Sequence, residues 1–195
     1  MTAGLSRRAL LAGAASLPWW AQAQAGAPRV ALVIGNAAYA ASPLRNPVND
    51  ARAMSARLTA LGFDVHTLLD AKKAQMDEAV AALRQRLVAK GAPNEGVGLL
   101  YYAGHGLQID FRNFLLAVDA APRSQRDVPA QGLDVQQALD AFRAAGSRIN
   151  VVVLDACRDN PFARSAASSA GLAPMDAPPN TYFAYATAPG NVAED

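Results

Sequence analysis

Val97-Gly98-Leu99-Leu100-Tyr101-Tyr102-Ala103-Gly104-His105-Gly106 is the stretch that decides the fold. Its first six residues are apolar or glycine without polar alternation, too short a run for a helix, and they lead into a glycine-rich segment. That is the pattern of a strand buried on both faces. Val30 to Ile34 and Ile149 to Leu154 read the same way. Strands of this kind belong to parallel sheets, whose crossover connections lay helices over both sides.

The segments between the runs supply those helices. Asn46 caps and Pro47 opens a helix with Val48, Ala51, Met54, Leu58 and Leu61 on one face, ended by Gly62, and Phe63 to Leu68 follows as a strand. Met76, Val80, Leu83 and Leu87 mark a second helix stopping near Gly91; Val135, Leu139 and Phe142 mark a third before Gly146. Leu107 to Ile109 and Phe114 to Val118, separated by Asp110 to Asn113, predict a small hairpin projecting from the sheet. Ala163 to Pro179 reads as a flexible loop before a last strand at Tyr182 to Ala186. Right-handed crossovers stack these units into a three-layer α/β/α sandwich with a mostly parallel open sheet, which binds ligands beyond the carboxyl ends of its strands.

Composition fits one compact domain: 195 residues, 52% apolar, 17% charged, with Cys157 as the single cysteine. Residues 1–25 stand apart. Arg7 and Arg8, the uncharged run Ala9 to Trp20 and the small residues Ala21, Ala23 and Ala25 form an export signal. Ser6-Arg7-Arg8-Ala9-Leu10-Leu11 resembles a twin-arginine signal, and the apolar run is too short to anchor the chain in a bilayer. Cleavage is expected after Ala23 or Ala25, giving an exported, periplasmic domain over 26–195 with no membrane anchor. Removing the signal takes away two arginines and no acid, so basic and acidic residues then balance. With no Lys/Arg cluster among aromatics, nucleic acid is excluded as the expected partner. Gly35-Asn36 after the first strand carries neither a dinucleotide fingerprint nor a P-loop lysine, which argues against nucleotide or flavin.

At the strand ends stand two residues with chemistry. His105 follows the third strand, and Cys157 follows the fourth within Leu154-Asp155-Ala156-Cys157-Arg158-Asp159; different loops are expected to bring them to one edge. A lone cysteine after a buried strand is ordinarily an inert small hydrophobe. A free thiol kept in a chain bound for an oxidising compartment, beside a Gly-His-Gly segment, points instead to a nucleophile whose thiolate the histidine favours. The amides of Gly106 and Cys157 are placed to donate to an oxyanion. Asp50 and Asp155 add carboxylates at the same edge, where a pair favours a guanidinium or ammonium group; taken singly they serve equally as cap and turn residues. Tyr101 and Tyr102 read as strand packing, and His66 as a structural residue of the second strand.

The Tyr-Tyr-Ala-Gly-His-Gly and Asp-Ala-Cys blocks resemble those of the caspase and metacaspase clan of cysteine endopeptidases, over roughly residues 29–190. Cys157 lies 52 residues after His105, close to the caspase separation of about 50. The resemblance implies His105 as catalytic histidine, Cys157 as nucleophile, Gly106 as an oxyanion-hole glycine, and a protein or peptide as substrate. It leans to metacaspases, because Asp155 stands where caspases have glutamine and Asn49-Asp50-Ala51 matches the metacaspase Asn-Asp block. In that family these aspartates line the pocket for the residue before the scissile bond, implying cleavage after Arg or Lys. Arg45, five residues before Asp50, leaves an acidic preference as the alternative.

Members of the family continue past the fifth strand, so a C-terminal strand and helix are expected to be missing. No cofactor or metal is expected; the calcium dependence of some metacaspases would call on Asp119, Asp127 and Asp134, with Arg164 where a further ligand is sought. Two other readings remain. One is a catalytically silent caspase-like scaffold; the other is a small-ligand binding domain on a flavodoxin-like sheet, which leaves the His105 and Cys157 pairing unexplained.

Overall fold

The computed structural model describes residues 26–157 and 172–186. Within them, β1 (Arg29–Gly35), β2 (Asp64–Leu69), β3 (Val97–Ile109), β6 (Ile149–Cys157) and β7 (Thr181–Tyr185) form a parallel sheet in the order β2-β1-β3-β6-β7. Alternate residues of the central strands feed two cores, as the period of a strand requires. Ala31, Val33, Leu99 and Tyr101 pack with Ala51 and Leu58 of α1 (Pro47–Ala60) on one face. Leu32, Ile34, Leu100 and Tyr102 pack on the other with Met76 and Leu83 of α2 (Lys73–Ala89) and with Leu139 and Phe142 of α4 (Val135–Ala145). Helices thus cover both faces, the three layers read from the sequence. Gly146 ends α4 in the left-handed region, where a side chain would be strained.

Several boundaries differ from the reading. The third strand does not stop at Tyr102: β3 continues to Ile109, changing partners on the way. Val97 to His105 pair parallel with β6, whereas Gly106 to Ile109 pair antiparallel with β4 (Arg112–Leu116), which pairs in turn with β5 (Gly132–Asp134). The hairpin is therefore an extension of the central strand. Its turn is two residues long, Asp110 and Phe111, both with positive φ as a type I′ turn demands. A 3-10 turn at Gln125–Asp127 and a short α3 (Val128–Gln131) lead into β5 and were not anticipated.

Helix α1 differs in two details. Asn46 sits at its N-cap with helical dihedrals and makes no side-chain capping bond, although its carbonyl accepts the Asp50 N–H. Leu61 occupies the C-cap, where the chain turns away, and is 49% exposed. Of the expected loop, Leu172 and Ala173 are buried, and Ala173 exchanges two hydrogen bonds with the buried Asn113 side chain. That part is docked. Ala163 to Gly171, Arg164 and the export signal lie outside the described residues.

Candidate active site

His105 stands at the point where β3 leaves one sheet for the other. In the parallel sheet its backbone partner is Cys157, the last residue of β6, and Ala103 is paired with Asp155. Adjacent strands, whose axes run about 4.8 Å apart, therefore juxtapose the two positions. Loops were the expected agents; hydrogen-bond register between neighbouring strands performs the task, because β3 and β6 both run further than their apolar runs suggest.

Two tyrosines grip the His105 backbone. The Tyr39 hydroxyl accepts its N–H at 3.0 Å, and the Tyr102 hydroxyl donates to its carbonyl at 2.6 Å. These hydroxyls lie 3.0 Å apart, and each is within 3.0 Å of the Leu116 carbonyl on β4. Burial pushes the Tyr39 hydroxyl up to about 12, against the pull of its hydrogen bonds, so it keeps a proton to donate at neutral pH. Gly104 makes the grip feasible: it has φ +151°, and a Cβ there would come within 2.7 Å of both hydroxyls.

The loop between β1 and α1 completes the histidine's setting. The Tyr39 ring lies against the His105 ring, with centroids 4.4 Å apart and planes tilted by 51°. Ser42 presents its carbonyl 2.7 Å from His105 Nε2. A carbonyl only accepts, so Nε2 carries the hydrogen and, in the neutral ring, Nδ1 offers its lone pair. This loop is pinned from outside. Asp70 Oδ1 accepts from the amides of Ala37 and Ala38, and the buried Asn36 side chain donates to Leu116 O at 3.0 Å and accepts from Ala71 N at 2.9 Å. Tyr39 and Ser42 were missed as site residues, and Tyr102 was read as packing alone. A buried tyrosine needs a partner for its hydroxyl, and that is the signal that pointed to a second role.

Asp155 is half-buried and Asp50 exposed, in the first turn of α1. They sense one another. Burial first, and then the charge of Asp50, raise Asp155 above the usual carboxylate range, although the Tyr101 hydroxyl donates to its Oδ2 at 3.4 Å. Burial and the same two carboxylates push the Tyr101 hydroxyl well up. A carboxylate raised by burial and by a neighbouring carboxylate is one that a bound cation would favour in its charged form. Arg45 is exposed in the preceding loop.

Gly106 begins the antiparallel part of β3, and a Cβ there would lie 3.0 Å from Ala156 Cβ and 3.1 Å from Leu172 Cδ2. The carboxylates considered for calcium each hold protein groups. Asp119 accepts the Lys73 amide at the start of α2, Asp127 the amides of Arg123 and Ser124, and Asp134 caps α4 while pairing with Arg112. Among the described residues no three His, Cys, Asp or Glu side chains gather as a metal requires. His66 lies on β2, its basicity lowered by burial and by Arg86.

Comparison with known proteins bears on the family and the fold. The chain is 37% identical over 131 residues to the Homo sapiens mucosa-associated lymphoid tissue lymphoma translocation protein 1 and to its Mus musculus homolog. Each match covers 67% of this chain but only 15% of the relative. The crystal structure of the Drosophila initiator caspase Dronc superposes with a TM-score of 0.52 at 14% identity, covering 84% of this chain and 56% of that one, a likeness of fold. The family model described as caspase domain matches residues 28–195. With a mostly parallel sheet flanked by helices and a match over most of its length, the chain belongs to the caspase domain family of cysteine peptidases.

Proposed function

We propose that this domain is a cysteine endopeptidase of metacaspase type that cleaves after Arg or Lys. Cys157 is its nucleophile, His105 its proton carrier, and Asp50 with Asp155 the clamp for the basic side chain. The observation that carries the specificity is the half-buried Asp155 within electrostatic reach of Asp50, its carboxyl raised by burial and then by that neighbour, because a guanidinium or ammonium group offsets both on binding. The pairing of His105 with Cys157 across β3 and β6 supports the chemistry.

In this reading Nδ1 of His105 takes the thiol proton and the sulfur attacks the carbonyl carbon. Amides of Gly106 and Cys157 receive the oxyanion, and the Ser42 carbonyl stabilises the imidazolium through Nε2. The C–N bond then breaks, and the amine leaves with the proton from His105. Water hydrolyses the thioester, releasing the carboxylate and restoring the thiol. No metal or organic cofactor enters these steps. We further propose that residues 1–25 export the domain, so that mass spectrometry of protein from its own host finds Gln24 or Gly26 at the N-terminus; a retained Met1 overturns that.

Peptidase assays test the main proposal. Cys157→Ala and His105→Ala should each lower kcat by at least about 1,000-fold, with losses that do not add. Asp155→Ala should raise KM for Arg peptides by about 10- to 100-fold, as expected for a lost charge-assisted contact. Preference for Asp before the scissile bond transfers the pocket to Arg45, and undiminished turnover by folded Cys157→Ala ends the endopeptidase reading.

A further inference from the structure

We propose that an apolar cleft beside His105 is the subsite for the residue that follows the scissile bond, and that it takes a side chain of Leu or Phe type. This inference rests on the endopeptidase reading and adds a second determinant of specificity to it. The cleft measures about 410 Å³ and lies between the β1–α1 loop and the segment after β4. Tyr39, Leu107 and Leu116 line it with Ala121 and Pro122, and His105 stands at its margin. Among the described residues, no carboxylate, lysine or arginine lines it. Ligand pockets run from roughly 300 to 1,000 Å³, so this one lies at the small end, with room for one large side chain and too little for a folded segment.

Position along β3 assigns the occupant. Tyr101, which touches Asp155, comes first; His105, in register with Cys157, comes four residues later; Leu107 of the cleft follows two residues beyond. A substrate whose basic side chain is held by the carboxylates, with its carbonyl at Cys157, sends its next residue past His105. The nitrogen that His105 must protonate belongs to that next residue. Its side chain therefore emerges at the cleft margin, where the apolar lining rewards burial of an apolar side chain and penalises desolvation of a charged one.

The test uses internally quenched peptides identical except for the residue after a fixed Arg: Gly, Leu, Phe or Asp. Leu and Phe should exceed Gly in kcat/KM by about tenfold, the scale set by burying one such side chain, and Asp should be the poorest. Ala121→Phe, at an exposed loop position, should fill the cleft and bring the Leu-to-Gly ratio to about one; Leu116→Ala should shift the optimum from Leu toward Phe. Equal rates across the four peptides, or a Leu-to-Gly ratio that Ala121→Phe leaves intact, would overturn the subsite while the cleavage itself sustains the endopeptidase reading. Failure of the folded protein to cut any Arg peptide would instead overturn that reading, and this inference with it.

Discussion

Asp155 and Tyr39 show how single groups set the site. Because its folded-state pKa is raised, Asp155 binds its proton more tightly in the folded chain than in the unfolded one. Its contribution to stability is fully present below the unfolded value of about 3.9 and is lost as pH rises through the raised folded value. Asp155→Asn, which still accepts from Tyr101, should therefore raise Tm at pH 7 by a few degrees, with the gain vanishing near pH 3; a Tm lowered at pH 7 contradicts the repulsion. Tyr39→Phe keeps the ring against His105 but orphans the histidine's backbone N–H. It should cost about 1–3 kcal/mol of stability in urea titrations. If Tyr39 positions the histidine, kcat should fall about tenfold with KM for Arg peptides little changed, whereas a purely structural role leaves kcat of the folded fraction untouched.

Strand β3 carries the site because it belongs to two sheets. Its apolar half was legible: an uninterrupted run such as Val97 to Tyr102 signals burial on both faces whatever its partners are. Leu107 to Ile109 was legible too, as one arm of the hairpin with β4; what the sequence hid is the join at Gly104-His105-Gly106, where flanking glycines give no strand signal and pairing with β6, distant in the chain, and then with β4 keeps the backbone extended. Ser42 was hidden for the same reason: its carbonyl direction depends on Asp70 and Asn36 holding a loop that has no periodic signal. Asp50 at the start of the first helix and Asp155 at the end of a strand, by contrast, were chosen from residue type, position and the metacaspase resemblance, and the structure brings them within electrostatic reach of each other. The switch itself is testable. Gly104→Ala introduces a Cβ 2.7 Å from both tyrosine hydroxyls at a φ that side chains rarely adopt. Circular dichroism and urea unfolding should show a stable sheet weakened by about 2–4 kcal/mol, with kcat reduced more than for Tyr39→Phe.

At the scale of the whole molecule, a sheet buried on both sides holds this edge, and the single cysteine of this sequence, Cys157, has no second cysteine within it to pair with. Leu32 and Leu100 are fully buried in neighbouring strands on the face covered by α2 and α4, and Tyr102, whose hydroxyl holds His105, packs in the same cluster. Core packing and the setting of His105 therefore share residues. Leu100→Ala removes a buried side chain from a layer that cannot fully close around the gap, and should cost about 2–5 kcal/mol in urea unfolding. Leu61→Ala removes an equal number of atoms from the half-exposed end of α1 and should stay within about 0.5 kcal/mol. The pair discriminates the observed packing from the amphipathic pattern read along the helix, in which Leu61 belonged to the buried face. Comparable losses from the two variants would mean that α1 continues over the sheet as its sequence suggests, whereas the expected asymmetry places its end at Ala60 and leaves the load on the strands that carry His105 and Cys157.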